Sequence, residues 1–310
     1  MRVPAPRDAV LHIVPGSSRR SCAGARAPLN GRPRPLVDAP PRRAEQAHAQ
    51  VVTTSAPTVA VVPTYNEAAT LHELIAAFER DAPGVDVLVV DDCSPDGTGA
   101  LAERMAATRP WLHVLHRPGK DGLGNAYRAG LAWALERGYG AIGQLDADLS
   151  HPPAELPRML EALRRGADLA LGSRSAPGGG SDGWPLHRRL VSRLGCAGSS
   201  RALGLPYSDL SGGFKLWRAS ALRAIDVAGT HSQGYVFQVE TTQRAHRAGL
   251  RIVELPFTFR ERTAGQSKMR LGIALEGVRM VARLRRDGWR PPAEMHARPL
   301  PAARGNASAA

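Results

Sequence analysis

The sequence predicts an α/β protein with a doubly wound, mostly parallel central sheet and helices on both faces. Two observations carry that prediction. From Thr58 onward, short apolar runs alternate with helix-like segments at the spacing of βαβ units. Several of those runs are apolar almost throughout, as strands buried on both faces are, and they end in clusters of Asp, Asn, Pro and Gly. The chain has 310 residues, 43% of them hydrophobic and 22% charged, enough for one large α/β domain.

The elements follow in order. Val59 to Val62 is a short β-branched strand stopped by Pro63, and a helix runs from about Ala68 to Arg80. Val85 to Val90 is a second strand, ending in Asp91-Asp92. Ser94-Pro95-Asp96-Gly97 has turn chemistry, and Thr98 is placed to cap a helix reaching about Thr108. Leu112 to Leu115 is the third strand. Gly122 to Arg137 is a helix with Leu123, Ala126, Leu131 and Leu135 facing inward. Ala141 to Leu145 is the fourth strand, ending at Asp146-Ala147-Asp148. A helix from Pro153 to Arg165 leads to a fifth strand, Ala167 to Gly172. Then the pattern changes. Ser175 to Gly183 reads as a Gly-rich loop, Leu186 to Leu203 as a helix, and Asp209 to Trp217 as irregular chain before a short helix. Phe237 to Ala248 reads as a helix, Arg251 to Phe259 as a strand, Glu261 to Lys268 as a polar loop and Leu271 to Arg286 as a last helix.

Charge is unevenly spread. The formal net charge is +13. Residues 1–57 hold nine Arg, no Lys, only three acids and nine Pro, the composition of a disordered tail. Val10 to Val14 is too short an apolar run for a secretory leader. Residues 287–310 are again rich in Pro, Ala and Arg and read as a second tail, leaving 58–286 as the domain. Cys22, Cys93 and Cys196 form no metal-like or redox-like pair, which fits a reducing compartment. No stretch approaches the roughly 20 apolar residues of a membrane span. Aromatics are only 5% and no nucleic-acid module is recognisable, so the basic charge points to phosphorylated substrates or an anionic membrane surface, not to nucleic acid.

Four polar segments follow four predicted parallel strands: Pro63-Thr64-Tyr65-Asn66-Glu67, Asp91-Asp92, Asp146-Ala147-Asp148 and Arg174. Ligands of open α/β sheets collect at the carboxyl ends of the strands, so all four line one crevice. Each alone has a plain structural explanation as a cap, a turn former or a surface charge. Two carboxylates at a strand end suit a divalent cation, which takes oxygen ligands from protein and phosphate together. The expected substrate is therefore a diphosphate, and the expected chemistry is transfer of what it carries.

Val62-Pro63-Thr64-Tyr65-Asn66-Glu67, Val90-Asp91-Asp92-Cys93-Ser94-Pro95-Asp96-Gly97-Thr98, Gly122-Leu123-Gly124-Asn125-Ala126-Tyr127 and Asp146-Ala147-Asp148-Leu149-Ser150-His151-Pro152 resemble family 2 inverting glycosyltransferases of the GT-A, Rossmann-like fold. Asp209-Leu210-Ser211-Gly212-Gly213-Phe214-Lys215-Leu216 and Gly265-Gln266-Ser267-Lys268 resemble the distal motifs of the polyprenol (dolichol) phosphate mannose synthase branch. The resemblance covers about residues 58–286. Cys93 departs from it, standing where the family usually has Gly, in a turn.

The resemblance implies residue roles. Pro63, Tyr65 and Glu67 would hold the nucleoside, with Val90 and Asp92 at the base and ribose. Asp146, Ala147 and Asp148 would line the diphosphate, Asp148 would bind Mg²⁺ or Mn²⁺, and Ser150 would add an oxygen ligand. Arg174, Arg262 and Lys268 would neutralise the diphosphate and the acceptor phosphate, which makes Asp148, Arg174 and Lys268 the implied catalytic residues. Glu240 sits on a helix where relatives place a pocket acid, and packing explains it equally well. The implied reaction moves mannose from GDP-mannose to a polyprenyl monophosphate with inversion. Open alternatives are a UDP-glucose or UDP-N-acetylglucosamine enzyme on a similar lipid, and an inactive membrane-binding scaffold. A nucleotide-dependent oxidoreductase lacks its Gly-x-Gly-x-x-Gly turn after the first strand.

The implied lipid acceptor calls for a membrane surface, and a separate membrane-anchoring protein is one way to reach it. The expected location is peripheral, at the cytoplasmic face. Leu186, Leu190, Leu194 and Ala197 form one side of their helix with Arg188, Arg189 and Arg193 elsewhere. The helix 271–286 mixes apolar residues with Arg279, Arg283, Arg285 and Arg286. Both patterns fit either an interfacial helix or ordinary packing on the sheet.

Overall fold

The computed structural model of this chain describes residues 56–260, 281–286 and 289–290. Both predicted tails therefore lie almost wholly outside the described residues, as do Arg262, Lys268 and most of the predicted helix 271–286, of which 281–286 are helical.

Seven strands form the main sheet. They are β1 (Thr58–Thr64), β2 (Val85–Asp91), β3 (Leu112–His116), β4 (Ala141–Gln144), β5 (Leu169–Ser173), β7 (Lys215–Arg218) and β8 (Ile252–Pro256), in the order β3-β2-β1-β4-β7-β5-β8. All run parallel except β7, which is antiparallel to both β4 and β5. Two short strands, β6 (Gly180–Asp182) and β9 (Thr258–Arg260), pair separately.

Side chains alternate between two cores, as a strand period of two requires. Val59 and Val61 of β1 meet helices α3 (Leu123–Glu136), α6 (Ala219–Ala224) and α7 (Gly234–Arg247) on one face. Ala60 and Val62 meet α1 (Ala68–Asp81), α2 (Thr98–Ala106) and α4 (Leu156–Arg164) on the other. Burying both faces explains the apolar runs that made β1 and β2 legible.

Several expectations are corrected. Pro63 lies inside β1 and does not stop it. Pairing with β4 ends at Val61, so the missing N–H of Pro63 falls where that side of the strand is already free. The chain read as irregular up to Trp217 contains β7, a central strand whose Lys215 is fully buried and donates to Gln238 O at 2.6 Å and Thr241 Oγ1 at 3.1 Å. The Gly-rich loop contains β6. The single strand read over Arg251–Phe259 is two, broken at Phe257 and shared between two sheets. Thr98 does not cap α2, because its hydroxyl donates to Asp96 and accepts from Glu67 N–H. Asp96 instead accepts from the Thr98 N–H and from Ala68 N–H at the start of α1, tying the two helix starts together.

Candidate active site

Because β1, β2, β4 and β5 are parallel, their carboxyl ends lie on one edge. The chain order turns from β1 toward β2 and β3 on one side and toward β4 on the other, which makes the β1/β4 boundary the topological switch point. The reversed β7 brings its own start, preceded by Gly212-Gly213-Phe214, to the same edge.

The β1 and β2 loops are locked to each other. Asp91 accepts from Thr64 Oγ1 at 3.1 Å, Ser94 N at 3.0 Å and Ser94 Oγ at 2.5 Å, so it serves as a turn former. Asn66 N–H donates to Ser94 Oγ and Glu67 N–H to Thr98 Oγ1. Asn66, Cys93 and Leu149, which follow the ends of β1, β2 and β4, hold φ of 61°, 57° and 62°. Left-handed backbone at a side-chain-bearing residue is unfavourable by about 1–2 kcal/mol, and such positions gather at functional sites. Cys93 thus occupies the backbone region that suits the family's Gly.

Asp92 is 5% exposed, and its carboxylate accepts from Arg117 Nη1 at 2.5 Å. Burial pushes its pKa above the ordinary value even against the pull of Arg117. Lys120 Nζ stands 3.8 Å above the Tyr65 ring. Pro63, Tyr65 and Glu67 are half-buried, and Thr70 Oγ1 donates to Glu67 Oε2 at 3.3 Å. The Val90 side chain is fully buried in the core, and its backbone pairs with β1 and β3.

The acidic loop after β4 is held from below. Asp148, 5% exposed, accepts from Ser150 N at 3.1 Å and Ser150 Oγ at 2.5 Å. The Ser150 hydroxyl is therefore the anchor of Asp148, and Ser150 itself is fully buried. Asp146 N–H donates to His151 Nδ1 at 3.0 Å, and Tyr127 OH is placed for Leu145 O at 3.1 Å and Asp146 Oδ1 at 3.3 Å. His151 stacks on Phe214 with ring centroids 5.1 Å apart. Burial lowers its pKa against the raising pull of Asp146 and Asp148. His151 thus packs the β4 loop against Phe214, at the entry to β7. Asp146 remains 34% exposed at the crevice.

Arg174 makes a two-pronged ion pair with Asp209, Nε to Oδ2 at 2.7 Å and Nη2 to Oδ1 at 2.8 Å, and also donates to Ser211 Oγ at 3.0 Å. Burial alone would raise the pKa of Asp209, but Arg174 more than offsets it and holds the carboxyl below its ordinary value. Glu240 is buried, accepts from Ser232 N at 2.9 Å and pairs with Arg244 at 2.8 Å. These contacts give Glu240 a packing role: it pins a loop.

The structure therefore gathers Asp146, Ala147, Asp148 and Ser150 in one loop and sets Pro63, Tyr65, Glu67 and Asp92 on the neighbouring strand ends. It turns Arg174 toward Asp209. Arg262 and Lys268 lie outside the described residues. Sequence reading missed Arg117 and Lys120, although they follow the end of β3 and the strand-end rule applied there would have found them. For a divalent cation the described residues offer the two carboxylates Asp146 and Asp148 and no cluster of three or more acidic, His or Cys ligands. Hard oxygen donors in so small a number suit an ion that completes its shell with phosphate and water.

Comparison with known proteins agrees with this geometry. The profile of glycosyl transferase family 2 matches residues 59–226. An undecaprenyl-phosphate mannosyltransferase of Micrococcus luteus is 50% identical over 223 residues, 72% of this chain and 91% of that one. A polyprenol monophosphomannose synthase of Mycolicibacterium smegmatis is 46% identical over 213 residues, 68% of this chain and 80% of that one. Among solved structures, a mannosyltransferase of Pyrobaculum calidifontis in complex with GDP-Man and Mn²⁺ aligns with TM-score 0.53 and 21% identity, over 78% of this chain and 68% of that one. The chain belongs to glycosyl transferase family 2 and is a glycosyltransferase of the GT-A fold.

Proposed function

We propose that this glycosyltransferase moves mannose from GDP-mannose to a polyprenyl monophosphate, with inversion at the anomeric carbon and with Mg²⁺ or Mn²⁺ bound. The observation that carries the reading is the Asp146-Ala147-Asp148 loop, anchored through Ser150 and His151 at the switch point of the sheet. The names of the two bacterial relatives support mannosyl transfer to a polyprenyl phosphate, and the GDP-Man and Mn²⁺ of the archaeal mannosyltransferase support the donor and the ion.

In this reading Tyr65, Glu67, Asp92, Arg117 and Lys120 hold the nucleoside end. Asp146 and Asp148 hold the cation at the diphosphate. The cation, when bound, supplies positive charge to the departing nucleoside diphosphate. Arg174 fixes the β5 end against Asp209 and Ser211, and Arg262 and Lys268 bring further positive charge to the two phosphates. An oxygen of the acceptor phosphate attacks the anomeric carbon from the face opposite the diphosphate, forming the new C–O bond as the old one breaks. A phosphate monoester is already anionic near neutral pH, so the residues need only place it.

The acceptor side has its own support. Helix α5 (Leu186–Leu203) leaves Leu186, Leu190, Val191 and Leu194 at 81%, 58%, 59% and 62% exposure, with Arg188, Arg189 and Arg193 on the same helix. That is the composition of a helix seated in an anionic membrane surface. Among the described residues no helix is long and apolar enough to cross a membrane. A hollow of about 740 Å³ between α5 and the loop after Arg174, lined by Ser175, Gly179, Arg193 and Tyr207, gives an acceptor room beside the crevice. We propose attachment at the cytoplasmic face, directly or through an anchoring protein.

The test is a panel of labelled GDP-mannose, UDP-glucose and UDP-N-acetylglucosamine, each incubated with polyprenyl phosphate and Mn²⁺. Label from GDP-mannose alone should enter the lipid extract, as the β-mannosyl phosphate. Transfer from either UDP-sugar in preference would overturn the donor assignment.

A further inference from the structure

Gln238 lies on α7 and is 1% exposed, yet neither its side-chain Nε2 nor its Oε1 has a hydrogen-bond partner. An amide left so is unfavourable by about 1–3 kcal/mol. Its backbone is held in place, the main-chain carbonyl accepting from Lys215 Nζ at 2.6 Å and from Thr242 Oγ1 at 2.9 Å.

The position of Gly213 shows where the amide points. A β-carbon built on Gly213 would lie 3.5 Å from Gln238 Nε2, 3.5 Å from Asp146 Oδ1 and 3.4 Å from His151 Cε1. An amide donor, a carboxylate acceptor and a ring edge thus converge on the side of Gly213 where another residue would carry its side chain. Of the three, Asp146 is the one that opens onto the crevice. An atom that accepts from an amide N–H and donates to a carboxylate is a hydroxyl oxygen. Gln238 Oε1 can take a second hydroxyl beside it.

We infer that Gln238 reads the transferred hexose, its amide bonding sugar hydroxyls beside Gly213, where it converges with Asp146 and His151. The inference rests on the proposed nucleotide-sugar reading and adds to it the residue that recognises the sugar.

The experiment compares affinities for GDP and GDP-mannose, each with Mn²⁺, in the unmutated chain, in Gln238→Leu and in Gln238→Glu. GDP reports the nucleotide pocket alone, and the ratio of the two affinities reports the sugar. Both variants should keep GDP affinity and lose about tenfold in the ratio and in kcat/KM for GDP-mannose, one hydrogen bond's worth. Gln238→Leu should melt no lower than the unmutated chain, since it removes an unpaired buried amide. Gln238→Glu keeps the side chain's size and supplies the reading should the leucine variant fail to fold. An unchanged ratio with unchanged kcat/KM in a folded variant would overturn the inference and leave Gln238 to a structural water. Failure of the donor assignment would show separately, as an unmutated chain that binds UDP and not GDP. The same ratio would then be read on UDP and UDP-glucose.

Discussion

Helices α3 and α5 each carry an apolar face and do opposite things with it. α3 buries Ala126, Tyr127, Leu131 and Ala134 against the sheet at 1% exposure or less. α5 turns Leu186, Leu190, Val191 and Leu194 to the outside and buries little beyond Cys196 and Ser200. The flanks of the crevice differ in the same way. On the α3 side every strand-end loop is pinned: Asp91 by Thr64 and Ser94, Asp148 by Ser150, Asp146 by His151. The α5 side presents apolar surface and Arg. A pinned flank suits a soluble nucleotide sugar, whose diphosphate needs groups already in place. An uncovered apolar flank suits a substrate that arrives in a membrane.

The comparison can be broken at the base of the α5 flank, where Arg174 and Asp209 tie together the chain entering and leaving α5. Asp209→Ala leaves Arg174, 14% exposed, without its ion-pair partner. The expected loss of stability is about 3–5 kcal/mol, seen in thermal unfolding as a fall of roughly 6–20 °C. A fall under about 2 °C would show that the pair does not hold the α5 flank to the sheet. On the pinned flank, Asp148→Ala should lower turnover by about 10²–10³-fold at saturating donor and Mn²⁺. Near-normal turnover would remove Asp148 from the site. Among the residues proposed to meet the phosphates, Lys268→Ala and Arg262→Ala should each slow lipid transfer about tenfold, the weight of one charged contact to phosphate, with an unchanged melting temperature. Early melting with full specific activity would make that loop structural.

Much of the pinned flank was legible. The apolar runs gave β1, β2, β4 and β5, and parallel winding put their acidic ends on one edge. What escaped depends on partners far away in sequence. β7 has only four residues, two of them basic, and its Lys215 is tolerable in the core because α7 supplies Gln238 O and Thr241 Oγ1. No local pattern announces that. Arg174 read as a cation for phosphate, and nothing near it in sequence shows that Asp209, 35 residues on, meets it. The stripe on α5 was visible, but a period of 3.6 residues tells which residues share a face and not what covers that face. Only the burial of α3 and the exposure of α5 separate the two.

The most direct test puts the two flanks in one experiment. Leu190→Glu with Leu194→Glu charges the α5 stripe without touching the strand ends. In one preparation, GDP-mannose affinity is measured in solution, and binding and mannosyl transfer are measured on anionic vesicles carrying polyprenyl phosphate. The expected result is unchanged GDP-mannose affinity with vesicle binding and transfer reduced at least about tenfold, since burying one Leu contributes roughly 1.5–3 kcal/mol. Unchanged vesicle binding and transfer, or a donor affinity that falls with them, would contradict the division of the crevice into a nucleotide-sugar flank and a membrane flank.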